Sequence, residues 1–403
     1  MSDRVAEGTK ALKQPESKLS VVRFISMDGL VAALMPFSPP LALFLLLGLS
    51  MRRRDRLLGG LRQDRLTLGI VSAVVLVGVV EVIRFRFGRE TFGDLLGVLA
   101  LVWLYIVGEH ILENPPVFFR ILSRSLGVFA LMGLLAYFLP VSLRFTALGQ
   151  EIVFFQRAPG DPKSVVLLGL PANSLGPLFM ATFLLGLVRI FRPGSPWTRV
   201  EGAGIALVGL GSTVLMGVRL AVLGMAAGSF IFSFAVGLRG LLLAGLAFLV
   251  ATAISPGLLG RFENLLAIQQ TEASRLYLWQ SALTIARRYP LLGVGPGRFA
   301  EGYRQLPPVP EWAYFEDPHN AYLRFTAEWG VPIAIVFFGW LFWKLDQVWT
   351  RNHNLLRWGA VSAAAAFLLM AFFETYFLKF HVAMPFWLLL GLAQREDWEE
   401  ASG

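Results

Sequence analysis

His319 is one of only four histidines in a chain of 403 residues, and its neighbours favour a role in proton transfer. It follows Asp317 and Pro318, a pair typical of a helix N-cap and first helical position, and Gly330 stands where such a helix would end. A histidine in a first helical turn lies near the positive end of the helix dipole, which favours the neutral imidazole. A neutral imidazole accepts a proton, so His319 is a candidate general base.

Two arginines could hold an anionic group near this base. Arg219 lies between two apolar segments with almost no loop, and Arg275 lies in the polar segment that also carries His319. The planar guanidinium makes bidentate, permanently charged contacts with phosphate oxygens. Taken singly, each has a simpler explanation, Arg219 as an anchor at a span end and Arg275 as a solvated side chain. Together with a base they fit a reaction in which a phosphate leaves and a hydroxyl attacks.

Two further polar residues follow in the same segment. Tyr322 comes three positions after His319 and shares its predicted helical face. Glu328 begins the last turn of that helix and either orients a partner or makes a structural contact. The run from Gly293 to Gly297 lacks the Gly-Lys-Ser/Thr of a phosphate loop and the strand–helix context of a dinucleotide fold, so it indicates a turn.

The composition excludes several kinds of chemistry. The chain has no cysteine, which excludes disulfides, thiolate catalysis and zinc–thiolate sites. No acidic or histidine spacing in the polar segments is typical of a metal site, so the reaction is expected to need neither a metal nor a cofactor. The net charge of +9 does not indicate a nucleic-acid partner, because Lys and Arg cluster at the ends of apolar segments, where they face lipid headgroups.

The elements that must position these residues are membrane helices. Hydrophobic residues make up 56% of the chain and charged residues 16%, against roughly 25% charged in soluble domains. Continuous apolar runs separated by short charged stretches predict an all-α polytopic membrane protein. We expect about twelve transmembrane helices, at residues 21–36, 37–50, 66–84, 92–112, 121–140, 165–190, 200–217, 220–238, 240–256, 331–349, 358–375 and 378–394.

Basic clusters set the predicted orientation. Those at 52–56, 189–199 and 351–357 fall on one side if each apolar segment crosses once, and that side is expected to be cytoplasmic. The group from Arg84 to Arg89 falls on the outer side, against the rule. The resulting organisation is a cytoplasmic tail, nine helices, an outer loop, three helices and a second cytoplasmic tail, at residues 1–20, 21–256, 257–330, 331–394 and 395–403.

The outer segment 257–330 is long for a loop without a function. Within it, Thr271 is expected to cap a helix that runs to about Tyr289. Its predicted apolar face, suited to lying on the bilayer or on the tops of the spans, consists of Leu276, Trp279, Leu283 and Ala286. The other outer segment, 141–164, is expected to be a short loop.

Three segments resemble the bacterial O-antigen ligase and O-antigen polymerase superfamily. PLLGVGPGRF and PHNAYLRFTAEWG, which begin at Pro290 and Pro318, are similar to the glycine-rich turn and the HNxYLxxxxExG motif of the family. SRLYLWQSALTIARRYPLLG, from Ser274, resembles its arginine-containing loop helix, and LPANSLGPLFMATFLLGL, from Leu170, its asparagine-containing span. The segment around Arg219 resembles another outer-face arginine of the family, although Val218 replaces the usual serine.

The resemblance implies a fold of about twelve membrane helices in the bacterial inner membrane, with a helical loop and the active site on the periplasmic face. It implies an inverting transfer of a glycan from undecaprenyl diphosphate. A ligase would transfer it to a sugar hydroxyl of lipid A–core, and a polymerase to a second lipid-linked repeat unit. His319 would be the base, and Arg219 and Arg275 would bind diphosphate. The further residues that the resemblance implies at the site are Asn173, Asn320 and, as part of its lining, Tyr322.

Among these activities we favour the ligase, because the chain is of moderate length and has a single dominant outer loop. The polymerase remains the alternative. A flippase for polyprenyl-linked glycans is less favoured, because it would need ionisable residues deep in the spans, and the mid-span stretches 66–80, 204–217, 241–254 and 359–373 carry none. A non-catalytic membrane scaffold would not explain the outer histidine and arginines.

Overall fold

The computed structural model describes residues 26–84, 88–138, 142–147, 150–156, 165–254, 270–307, 317–350 and 354–395. The predicted tail 1–20 lies outside these residues, as does the predicted tail 395–403 except for Arg395. In chain order the helices are α1 Met27–Leu34, α2 Pro39–Arg52, α3 Arg54–Gln63, α4 Arg65–Ile83, α5 Arg89–Ile106, α6 Pro115–Phe138, α7 Ala172–Phe191, α8 Pro196–Leu215, α9 Arg219–Val236, α10 Leu238–Ile254, α11 Gln270–Arg288, α12 Phe299–Arg304, α13 Ala321–Trp329, α14 Val331–Thr350, α15 Leu355–Met370 and α16 Phe380–Ala393. A π-helical turn, Val107–Ile111, extends α5, and a short 3-10 turn, Tyr376–Leu378, precedes α16.

Six described helices are long and apolar enough to cross a membrane, namely α4, α5 with its π turn, α6, α7, α9 and α14. Three shorter apolar helices, α2, α15 and α16, accompany them. The chain is therefore a multi-pass, almost entirely helical membrane protein, as the hydropathy predicted. The predicted number of twelve spans is not reproduced.

One reason lies in the first two predicted spans. Helix α1 has eight residues, about 12 Å, too short to cross roughly 30 Å of hydrocarbon. Its first turn and the end of α2 lie together, with Asp28 3.4 Å from Arg53. At the other end of α1, the Ser125 hydroxyl donates to the Ala33 carbonyl (2.5 Å), only about 15 Å along α6. In the described residues, α1 and α2 form a re-entrant hairpin that enters and leaves at the same end. The predicted orientation of the later spans is therefore unchanged.

The helix termini gather at two ends of the bundle. The tail end carries Arg53, which donates to the Ile111 carbonyl (2.5 Å), and Arg395, which donates to the Leu112 carbonyl. The loop end carries the turn between α11 and α12, where Arg298 Nε donates to Thr91 Oγ1 at the start of α5 (3.2 Å). The basic clusters in 52–56 and 189–199 share the tail end with Arg357, which donates to the Arg395 carbonyl.

The predicted loop 141–164 is partly a β-sheet, which corrects the all-α expectation locally. Its described strands, in the antiparallel order β1-β2-β3-β4, are β1 Leu143–Ala147, β2 Gln150–Gln156, β3 Val166–Leu167 and β4 Leu170–Pro171. The first two strands contain valine, isoleucine, threonine and phenylalanine, types that favour extended backbone, in runs too short for a span. Strand β4 leads directly into α7 at the loop end.

Helix α11 matches the expected loop helix within one residue at each end, and it buries a further face beside the predicted apolar one. Leu276 and Leu283 are 56% and 42% exposed, whereas Leu278, Ala282 and Ile285 are buried in a small core with α12 and α13. Positions i, i+4 and i+7 lie on one helical face, so α11 buries that face against its neighbouring loop helices. The loop therefore has a core of its own.

The glycine run forms a turn, as its spacing indicated. Gly293, Gly295 and Gly297 all have positive φ, and the backbone N–H groups of Val294 and Gly295 donate to carbonyls at the end of α13 (3.0 Å each). Gly293 lies so close to the Glu328 carbonyl that there is no room for a Cβ atom. This turn fixes the C-terminal end of α13 and so helps to position the segment that carries His319.

Candidate functional site

The structure places His319 before a helix, not within it. Helix α13 is capped by Asn320, whose Oδ1 accepts from the Leu323 N–H (3.0 Å), and not by Asp317 as predicted. His319 has φ +49°, and its N–H donates to Asp317 Oδ1 (2.8 Å). The local turn formed by Asp317 therefore delays the helix by three residues, and the expected dipole effect on His319 does not apply.

The electrostatic prediction for His319 was also wrong in direction. Its Nδ1 lies 3.2 Å from Glu374 Oε1, and this contact raises the pKa of the imidazole above its usual range against the opposing effect of burial. A carboxylate only accepts hydrogen bonds, so this contact favours the tautomer with the proton on Nδ1. The basic nitrogen is then Nε2. A carboxylate–imidazole pair of this kind fixes the tautomer and makes the free nitrogen a better base.

Glu374 is the residue that sequence reasoning missed. It lies in the turn between α15 and α16, 55 positions after His319, within a stretch predicted as the end of a span. Two contacts join this turn to the His319 segment: the Ala321 N–H donates to the Ala371 carbonyl (2.9 Å), and Thr375 Oγ1 donates to Asp317 Oδ2 (3.0 Å). The sequence signal that could have identified Glu374 is that it is a single acidic residue, lying between aromatic residues, at the boundary of two apolar segments.

Helix α11 brings Arg275 to the same place. One turn after Arg275, Trp279 Nε1 donates to the Pro318 carbonyl (3.0 Å), directly before His319. The Trp279 ring also packs on Phe372, with centroids 5.6 Å apart, beside the Glu374 turn. Arg275 is close enough to His319 that its positive charge opposes the pKa increase caused by Glu374. The arginine and the histidine therefore share one electrostatic environment.

Asn173 and Arg219 lie at the same end through a further series of contacts. The Tyr376 hydroxyl, two residues after Glu374, donates to the Asn173 carbonyl in the first turn of α7 (2.6 Å). Further along α7, Gly176 packs against Val218, the residue before Arg219, so closely that Gly176 has no room for a Cβ atom. The structure thus places all the predicted polar residues at the loop end, with Arg219 one helix away from the Glu374 turn.

Arg219 is half-buried and is the first residue of α9, where Val218 provides no side-chain cap. Within the described residues, no ion pair or side-chain hydrogen bond engages its guanidinium. A cation at the positive end of a helix dipole is unfavourable by itself. An anion bound there is stabilised both by the helix dipole and by the charge of Arg219. This position therefore suits an anionic ligand.

Tyr322 and Glu328 have structural contacts instead. The Tyr322 hydroxyl donates to the Leu368 carbonyl (2.8 Å), and burial raises the pKa of this phenol to about 12. Glu328 is fully buried, and its Oε1 accepts from Arg324 Nε and from the Phe299 N–H (3.1 Å each). It lies at the opposite end of α13 from His319, about 12 Å away along the axis. The structure therefore does not bring Glu328 to the base.

Asn320 combines a structural contact with a position next to the base. Its side chain is fully buried and its Oδ1 caps α13, while no hydrogen-bond partner of its Nδ2 is found in the described part of the chain. In the same part, no group of three or more His, Asp or Glu side chains could hold a metal ion.

Comparison with known proteins identifies the class. Residues 204–338 match the family model described as O-antigen ligase, and this segment includes Arg219, Arg275 and His319. No curated protein matches the chain. The match supports the resemblance of the motifs to the O-antigen ligase and polymerase superfamily. The matched family implies a membrane enzyme of the glycosyltransferase type that uses lipid-linked glycans.

Proposed function

We propose that this protein is an O-antigen ligase-type glycosyltransferase of the bacterial inner membrane. It moves a glycan from undecaprenyl diphosphate to a sugar hydroxyl of lipid A–core at the periplasmic face, with inversion and without a metal or cofactor. The observation that carries the proposal is the His319–Glu374 pair, 3.2 Å apart, with Arg275 acting on the same imidazole. A base beside a cation is what a hydroxyl nucleophile and a diphosphate leaving group require.

The chemistry is a direct displacement. His319 Nε2 takes the proton of the acceptor hydroxyl, while Glu374 holds the imidazole through Nδ1 and stabilises the imidazolium that forms. The acceptor oxygen bonds to the anomeric carbon as the bond from that carbon to the diphosphate oxygen breaks. The electron pair leaves with undecaprenyl diphosphate, and Arg219 and Arg275 neutralise its charge.

The acceptor distinguishes the ligase from the polymerase, because both would use the same base and the same arginines. The deciding experiment reconstitutes the purified protein in nanodiscs with undecaprenyl diphosphate-linked glycan and lipid A–core, without ATP. Mass spectrometry should show glycan joined to lipid A–core and free undecaprenyl diphosphate. Glycan chains that lengthen on the lipid carrier would establish the polymerase instead. In liposomes, transbilayer movement of glycan lipid with no new glycosidic bond would refute both.

A further inference from the structure

An apolar cavity of about 220 Å³ lies among α7, α8, α9 and α10, inside the membrane region. Its walls include Phe183 of α7, Leu210 of α8, Ala226 of α9, and Ala244 and Gly245 of α10. Apolar cavities of about 150 Å³ hold a molecule the size of benzene, so this one has room for at least one five-carbon isoprene unit. An empty cavity forfeits van der Waals contacts, which are a main source of association within lipid.

The cavity continues a row of side chains that begins at Arg219. Val222 and Ala226, which line it, follow Arg219 by three and seven positions and so lie on the same side of α9. At 1.5 Å per residue, Ala226 is about 10 Å below Arg219 along the helix axis. A lipid whose anionic head binds Arg219 would therefore place the first part of its chain in this cavity.

The cavity has a wall through which a lipid could enter from the side. Helix α10 packs on α8 and α9, and its outward side chains Leu242 and Leu246 are 63% and 59% exposed at the edge of the bundle. On the side of α10 that faces the cavity, Ala244 and Gly245 are small residues and leave the cavity space unfilled. A methyl-branched lipid chain needs such local space, because each methyl branch makes the chain wider.

A second apolar groove, of about 400 Å³ between α4 and α5, serves as a comparison. Arg84, at its loop end, forms an ion pair with Glu81 (3.4 Å). Arg219 has no such partner in the described residues. Arg89, at the start of α5, is exposed, whereas Arg219 is half-buried on the row of side chains that leads into the α9 cavity.

We propose that the cavity among α7, α8, α9 and α10 holds the isoprene units next to the diphosphate of the polyprenyl lipid, with Arg219 on the phosphate. The identification of this lipid as the glycan donor rests on the proposed function. The binding site itself does not, because sugar-free polyprenyl diphosphate would occupy it equally.

The test fills the cavity without disturbing the fold. A Cβ at Gly245 would meet no atom within 4 Å, so Gly245→Leu is expected to be accommodated, and leucine favours the helix. Gly69→Leu is the matched control, because Gly69 is an exposed glycine of the membrane helix α4 with the same open space. Binding of sugar-free undecaprenyl diphosphate in nanodiscs should weaken about tenfold in Gly245→Leu and stay unchanged in Gly69→Leu.

A second measurement locates the chain directly. A polyprenyl diphosphate with a diazirine in its second isoprene unit should label peptides of α8 to α10, and undecaprenyl diphosphate should compete where phosphatidylglycerol does not. Equal competition by phosphatidylglycerol, labelling confined to α4 and α5, or equal binding by the two leucine variants would overturn the proposal. If labelling and the Gly245 effect occur but no glycan is transferred, the lipid site stands and the proposed transferase activity falls.

Discussion

The tail end and the loop end of the bundle both collect charged side chains, but they partner them differently. At the tail end, Asp28 contacts Arg53 and accepts from the Glu113 N–H (2.7 Å), and Lys344 Nζ lies 2.6 Å from Asp64 Oδ2. At the loop end, neither Arg219 nor Arg275 has an ion pair or side-chain hydrogen bond within the described residues. These tail-end pairs close helix termini, and Arg192 there also has no ion pair within the described residues. What sets Arg275 apart is that it lies beside the candidate base His319.

The same contrast separates the arginines of the loop end. Arg324 is in ion-pair contact with Asp317 (3.3 Å) and Glu328 (3.1 Å), so its charge is used within the protein. A charge beside a membrane is costly unless it is paired or solvated, which makes an unpaired, half-buried arginine informative. Partnering, more than position, therefore distinguishes arginines that build the fold from those that can bind a ligand.

The largest expected effect tests whether the loop end carries the chemistry. His319→Ala should lower turnover by about 10²- to 10⁴-fold, the usual contribution of a general base, with little change in thermal stability. His381→Ala, in the first turn of α16 at the same end, is the control and should retain activity. The assay is release of undecaprenyl diphosphate by the reconstituted enzyme. Near wild-type turnover by His319→Ala would contradict the assignment.

The next prediction tests the structural role of the tail end. Lys344→Met leaves Asp64 without its buried partner and should cost roughly 3 kcal/mol of stability, while KM for the donor stays unchanged. Thermal unfolding in detergent and donor kinetics measure the two effects. Combining it with Asp64→Asn removes the unpaired charge and should recover part of the loss. A changed KM without loss of stability would reverse the comparison between the two ends.

A smaller effect is expected from Arg275→Lys, which keeps the charge but loses the bidentate fork. One lost charge-assisted hydrogen bond should lower kcat/KM by about 10- to 100-fold. Arg287→Lys, on an exposed position of the same helix, is the matched control. Donor titrations with both variants decide the matter, and equal kinetics would return Arg275 to the class of solvated arginines.

The smallest effect is a shift in pH dependence. The base works in its neutral form, so activity should rise as pH increases through the pKa of His319, which Glu374 holds above its usual range. Glu374→Gln removes the negative charge, so the acidic limb of the kcat/KM profile should move to lower pH, and the plateau should fall because the imidazole is less well oriented. If the plateau of kcat/KM falls while its acidic limb stays at the same pH, Glu374 does not act on the pKa of His319 and has only a packing role.

Much of the architecture was predictable because it depends on local properties of the chain. Continuous apolar runs predicted membrane helices, and the predicted loop helix from Thr271 to Tyr289 is found as Gln270–Arg288. The re-entrant hairpin of α1 and α2 was not predictable, because apolar length alone does not tell a helix that crosses from one that turns back. The face that α11 buries against the other loop helices was not predictable, because leucines exposed to lipid or solvent have the same type as buried ones.

The site was predictable only in part, for a similar reason. The chain itself determined His319, Arg219 and Arg275 as candidates, since imidazole and guanidinium chemistry depends on residue type. Only the tertiary structure decided that His319 lies outside the helix and pairs with Glu374, because that contact joins residues 55 positions apart across two turns. Partners of a charge are chosen by packing between distant segments, and this choice sets the pKa of the base and the availability of each arginine.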